Sequence, residues 1–299
     1  MLERLLYAIG PVIFVLLAEH IVLKHFYGKK TAIERLCRSS TESAKSDWLM
    51  AFFYYVAFKF PLIRSVVSLI TLPGLAYMAL QYLGPYIQWP GMVSAFLPDN
   101  VVVNIAIWLV LYDLTHYISH VLMHKSDWLW RMHKLHHAAT EFTILTGVRI
   151  SPSEHFFNSL VSFAILVILL GMPKPEIFYV VVFIRRVVDL IQHSDLPWDY
   201  GLFGYLIASP RFHRLHHSNN LQDYDSNFGD IFAFWDYLFG TVSNRYRRSP
   251  VIADSCDLGL GTESESSKFN RWESAIFHET LPQYAWSLFR ALRSPRSLP

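Results

Sequence analysis

Six histidines, His116, His120, His124, His133, His136 and His137, fall within 22 residues, and His213, His216 and His217 repeat the last spacing far downstream. That density has no packing explanation, because a core made of imidazoles would bury nitrogens that need partners. His116, His120 and His124 recur every four residues, which on a helix stacks them along one face about one turn apart. The pattern His-x-x-His-His occurs twice, at 133–137 and 213–217, with the same basic-plus-leucine filler. Neutral imidazole is the commonest metal ligand, and its second nitrogen is left to be oriented by a carboxylate or a carbonyl. Zinc takes four ligands and octahedral ions six, so this many imidazoles exceed what one ion holds. Two metals sharing one pocket are the simplest reading.

The chain that must position them is 299 residues long, 53% hydrophobic and 16% aromatic, with a mean hydropathy of +0.26. That is too apolar for an ordinary soluble domain and reads as an integral membrane protein. A formal net charge of +2 argues for neither nucleic acid nor an acidic substrate as partner. The two cysteines, Cys37 and Cys256, cannot build a disulfide framework, a CxxC pair or an iron–sulfur site. An apolar core in the first 23 residues is followed by Lys24, His25, Lys29 and Lys30 in place of a small-x-small cleavage site, so it is expected to be a retained anchor helix.

Residues 5–23 form the first expected span, with Pro11 inside it and Glu19 and His20 near its end. The basic segment 24–47 is expected to be cytoplasmic. Residues 49–72 are apolar but carry Lys59, Pro61 and Arg64, which predicts a kinked or broken helix. The Gly- and Pro-punctuated, Tyr-rich stretch 73–98 suits an interfacial or re-entrant segment. A clear span over 101–118 feeds directly into the histidine block. Two further apolar runs, 156–172 and 176–191, flank Pro173-Lys-Pro175 and predict a helical hairpin. An even number of crossings returns the second histidine block to the side of the first. Arg131, Lys134, Arg149, Arg211 and Arg214 beside the blocks make that side cytoplasmic. The aromatic segment 219–240 is expected to cap the site against the membrane surface, and residues 245–299 to form a polar tail.

The ordered set Asp113, His120-x-x-x-His124, Trp130-Arg-Met-His133-x-x-His136-His137, Gln192-His193-Ser, Ser209-Pro-Arg-Phe-His213-x-x-His216-His217, Asn227-Phe-Gly229 and Trp235-Asp-Tyr-Leu-Phe-Gly240-Thr carries a resemblance. It resembles the fatty acid hydroxylase/sterol desaturase superfamily of membrane di-iron oxygenases, and within it the alkylglycerol monooxygenase and bacterial sterol-desaturase-like branches. The resemblance implies nine ligands, His120, His124, His133, His136, His137, His193, His213, His216 and His217, and no catalytic residue beyond them. It departs at Gln192, where the family often has Asn. It implies two non-haem irons, replaceable by zinc in purified protein, O2, a membrane lipid substrate and a separate electron donor: a reductase, a small carrier or a pterin. The expected reaction is hydroxylation of a lipid C–H bond, with desaturation as the alternative within the family. A histidine-rich metal transporter or metal-binding membrane protein is the alternative from another class.

The expected fold is therefore all-α, an integral membrane helical bundle with a cytoplasmic histidine-rich di-metal cap, in a bacterial inner membrane or the endoplasmic reticulum. Residues 1–112 would supply transmembrane helices and an interfacial segment, 113–244 the histidine-box catalytic region with the hairpin, and 245–299 the tail. Asp113, His116, His155 and Asp189 are expected to support ligands without binding metal. His116 should hydrogen-bond Asp113, three residues before it. Asp189 either pairs with Arg185 and Arg186 or orients His193.

Overall fold

The computed structural model describes residues 2–38, 41–59 and 91–261. The expectations for 60–72, for 73–90 and for the tail beyond 261 lie outside the described residues. Among the described residues the chain is helical, with only two isolated bridges, Ile207 to Phe232 and Ser218 to Leu258.

The first helix, α1 (Leu2–Val22), continues into a π turn, Leu23–Tyr27, that Gly28 closes at φ 61° by donating its N–H to Leu23. The short α2 (Ala32–Arg38) and α3 (Glu42–Lys59) follow. Glu19 near the end of α1 is fully buried, accepting from Ala32 N and Asp195 N and pairing with Arg35, so a charge inside an apolar run ties α1 to the chain beyond the hairpin.

Helix α4 (Val101–Lys125) begins at Asn100, whose side chain accepts from the N–H groups of Val102 and Val103. It outlasts the apolar run that predicted it and carries His116, His120 and His124 on the same unbroken helix. Ser126 is extended and ends it, and α5 (Asp127–His137) folds back. The hairpin consists of α6 (Pro152–Ser159), a π turn and α7 (Ile165–Leu170), then α8 (Pro175–Gln192). Trp108 of α4 packs against Leu166, Leu170, Ile177 and Val181 of its two arms. The last helices are α9 (Pro210–His216), α10 (Phe234–Phe239) and α11 (Asn244–Arg248).

Three helical stretches among the described residues, Gly10–Tyr27, Val101–Lys125 and Ser153–Leu170, are long and apolar enough to cross a membrane. The second hairpin arm carries Arg185, Arg186 and Asp189 and falls outside that set.

Candidate metal centre

The break at Ser126 turns α5 so that His133 and His137, one turn apart, meet His120 and His124 of α4. In α9, Ser209 caps the helix by accepting from Phe212 N and Pro210 starts it, which fixes His213 and His216. The ligand-capable nitrogens fall into two groups. His120, His124, His133, His137 and His216 bring theirs within 4.8 Å of one another, and His136, His193, His213 and His217 do the same. His137 and His217 stack with ring centroids 4.3 Å apart and join the groups. His116 and His155 belong to neither.

Tautomers follow from the partners. His120 Nδ1 lies 2.9 Å from Phe228 O, His216 Nδ1 2.8 Å from Ser226 O, His193 Nδ1 2.8 Å from Asp189 O, and His133 Nδ1 2.7 Å from Glu154 Oε1. A carbonyl only accepts, so the Nδ1 atoms of His120, His193 and His216 carry the protons and their Nε2 atoms are bare lone pairs. The Nε2 atoms converge: His133 Nε2 is 3.1 Å from that of His120 and 3.1 Å from that of His137, while His193 Nε2 is 3.0 Å from that of His213 and 3.3 Å from that of His136. The lone pairs of His120 and His193 Nε2 point into these groups, where a cation would be coordinated. The buried Nε2 atoms of His124 and His216 also lack any partner among the described residues. Burial, with His193 nearby, pushes His133 down to about 3, and burial holds His136, His137, His213, His216 and His217 well below the usual imidazole range. The rings are therefore neutral at pH 7, as ligation requires. Each group could hold a metal ion.

The orienting carbonyls sit on a tightly built loop. Asp236 accepts from Phe228 N at 2.8 Å, Gly229 N at 2.7 Å and Thr241 Oγ1 at 2.6 Å. Asn227 adopts φ 58° and bonds Phe212 O and Ser243 N. A Cβ on Gly229 would stand 2.5 Å from Phe232 O. Asp113 anchors the same loop, accepting from Ile231 N at 2.7 Å, Phe232 N at 3.1 Å and Trp235 Nε1 at 3.0 Å. The expected Asp113–His116 hydrogen bond is thus absent, because fixed backbone donors have taken both carboxylate oxygens. His116 Nε2 instead accepts from Arg185 Nη2 at 2.5 Å, and Arg185 pairs with Asp230 at 2.7 Å.

Asp189 accepts from Arg186 at 2.7 Å, while the other arginine expected to pair with it, Arg185, goes to Asp230; its Oδ1 also lies 3.2 Å from His193 Nδ1. Gln192 donates to the carbonyls of Ala208 and Asp230, which secures the end of α8 beside His193. His155 is half-buried and outside both groups. Its neighbour Glu154 is the residue that sequence reasoning missed. It is buried, and Ser151 caps its N–H at 3.1 Å. The available signal was a carboxylate at the head of an apolar run, which cannot stay there unpartnered. Glu154→Ala should weaken metal binding by about 10- to 100-fold, the usual effect of losing an orienting carboxylate. Glu154→Gln, whose carbonyl still accepts from Nδ1, should lose less; competition with a chelator measures both.

Residues 105–241, which hold all nine clustered histidines, match the family model described as fatty acid hydroxylase. This stretch belongs to that family. The chain is 30% identical to the ornithine lipid hydroxylase OlsE of Rhizobium tropici, over 56% of the chain and 49% of the relative. It is 26% identical to an alkylglycerol monooxygenase of Caenorhabditis elegans (56% of the chain, 33% of the relative) and 28% identical to methylsterol monooxygenase 1-3 of Arabidopsis thaliana (52% and 55%). It thus spans about a third to a little over half the length of these relatives. No solved structure matches it significantly. Within the fatty acid hydroxylase stretch, Asp113, Asn227, Gly229 and Asp236 serve one purpose, the loop that aims His120 and His216.

Proposed function

We propose that the protein hydroxylates a C–H bond of a membrane lipid with O2 and electrons from a separate donor. The observation that carries the reading is the convergence of imidazole nitrogens in two groups at the end of a helix long enough to cross a membrane. His120, His124, His133, His137 and His216 would hold one iron and His136, His193, His213 and His217 the other. Two ferrous ions would supply the activation of O2 that C–H oxidation needs. The chain's own part is placement and exclusion of water. Phe228 covers His120, His124 and His216, Phe142 covers His193 and His217, and both phenylalanines are buried.

The relatives' names, hydroxylases and monooxygenases of ornithine lipid, alkylglycerol and methylsterol, support oxygen insertion into a lipid over desaturation. A metal transporter would spread ligands along a path, whereas nine imidazoles gather here at one end of the helices. The cytoplasmic orientation is part of the proposal, and its charge support narrows, because Arg149 is fully buried against Asp47, Arg211 pairs with Asp254 and Arg214 with Asp195. The division at 112/113 and 244/245 belongs to the same proposal.

Elemental analysis after anaerobic iron loading should return two metals per chain; one or fewer counts against the two-ion site. Protein made without such loading should carry zinc, which outranks ferrous iron at nitrogen sites. The groups should also differ in affinity. Three of the four rings in the smaller group, His136, His213 and His217, have a buried Nδ1 with no partner among the described residues, while His120, His133 and His216 are all anchored. A chelator should therefore remove one metal well before the other, and His193→Gln should abolish the early phase.

A further inference from the structure

Outside the helices of membrane-crossing length, the chain leaves a compact set of apolar side chains bare. The turn at Gly201–Tyr205 exposes Leu202 at 86% and Phe203 at 70%, and Leu206 follows, also exposed. Beside it, α10 ends on Leu238 and Phe239, exposed at 67% and 55%. These are one surface: Ala233 N donates to Leu206 O at 3.0 Å, Ile207 bridges to Phe232, and the rings of Tyr205 and Tyr237 lie 5.0 Å apart. Apolar clusters of this kind on a folded chain mark a binding surface.

Its depth identifies the occupant. Phe239 stacks on Tyr117 of α4 with centroids 5.5 Å apart. Tyr117 lies sixteen residues beyond Val101, the first residue after the Asn100 cap. At the α-helical rise this is about 24 Å along the helix, inside a hydrocarbon layer about 30 Å thick and close to its far boundary. Phe239 and Leu238 therefore sit at the level where acyl chains meet head groups. Tyr205 and Tyr237 in the same surface suit that level, where aromatic side chains with a polar tip are favoured. Arg247 and Arg248 of α11 are exposed at its edge, the Arg247 guanidinium 5.8 Å from the Tyr237 ring centroid. A basic rim around an apolar, aromatic centre is the composition of a segment lying in a membrane interface.

We propose that residues 201–206 and the end of α10 form a knuckle immersed in the lipid leaflet on the side of the histidine cluster, with Arg247 and Arg248 among the lipid phosphates. The surface is continuous with α4 through Tyr117, and this continuity favours lipid over a second protein. The chain from Ile207 runs directly into Ser209 and α9, so the knuckle would hold His213, His216 and His217 against the leaflet from which a lipid would enter. This inference concerns membrane contact alone and stands whether or not the protein oxidises lipid.

The test uses the full-length chain in nanodiscs, with Cys37→Ser removing the exposed native thiol and an environment-sensitive dye attached at Leu202→Cys or Leu238→Cys. Both positions are exposed, so the labelled proteins should keep their helix content by circular dichroism. The expected result is blue-shifted emission at both sites, quenched by lipids carrying a nitroxide near the head group and protected from aqueous iodide. Water-like emission quenched by iodide overturns the proposal. So does a blue shift that nitroxide lipids leave unquenched, which would mean that protein, the residues beyond 261 or a second copy, covers the patch.

Discussion

His133→Gln is expected to empty the five-histidine group and remove turnover, while His116→Gln, on the α4 face that carries His120 and His124, should keep both metals and much of the activity. His133 Nε2 lies 3.1 Å from two other Nε2 atoms, so the group converges on it, and Glu154 fixes the ring from behind. Glutamine offers no lone pair at the Nε2 position, and the loss should exceed the roughly 100-fold that removing an orienting partner costs. His116 stands apart because Arg185 donates to its Nε2, occupying the nitrogen that ligation would need. Glutamine at 116 keeps an oxygen to accept from Arg185. Metal content and oxygen consumption of the two variants decide the matter: equal loss of metal in both would make His116 a ligand.

Arg149→Met should prevent stable folding, a loss of about 3–5 kcal/mol, because it strands a carboxylate in the protein interior. Arg149 and Asp47 are both fully buried; Arg149 Nε and Nη2 donate to Asp47 Oδ1 at 2.8 and 2.7 Å. Asp47 Oδ2 takes Thr143 and Thr146, and Arg149 also donates to Ser43 O at 2.6 Å. This network binds α3 to the chain leaving the first histidine block. Combining Arg149→Met with Asp47→Leu should recover much of the stability, since replacing both members of a buried pair with apolar side chains is often nearly neutral. Thermal unfolding in detergent checks both; a single variant as stable as the parent would show that the pair contributes little.

The nine histidines that the resemblance singled out are the ones the fold gathers, whereas His116, which spacing puts in line with His120 and His124, stays outside both groups; a candidate metal ligand must be a residue type that leaves a mark in sequence. What aims them left a weaker mark. Phe228 and Ser226 act through backbone carbonyls, which every residue possesses. Glu154 and Arg185 meet His133 and His116 across 21 and 69 residues, so helical spacing says nothing about either pair. Asp113 illustrates the failure best: the nearest histidine in sequence looked like its partner, and the loop 118 residues away won because its donors are fixed in place. Apolar runs located α4 and the hairpin arms, but α4 reaches Lys125, since helical geometry carries on past the end of the apolar stretch. Arg149, read as a surface charge, is interior because Asp47 neutralises it.

The proposed activity is the placing of oxygen from O2 into a lipid by the two histidine groups together. Iron-loaded protein in nanodiscs made from total membrane lipid, supplied with a reductant and 18O2, should yield lipid species heavier by one labelled oxygen, and the His133→Gln variant should yield none. Complete loading with two irons and full reduction, with no labelled lipid formed, would contradict it.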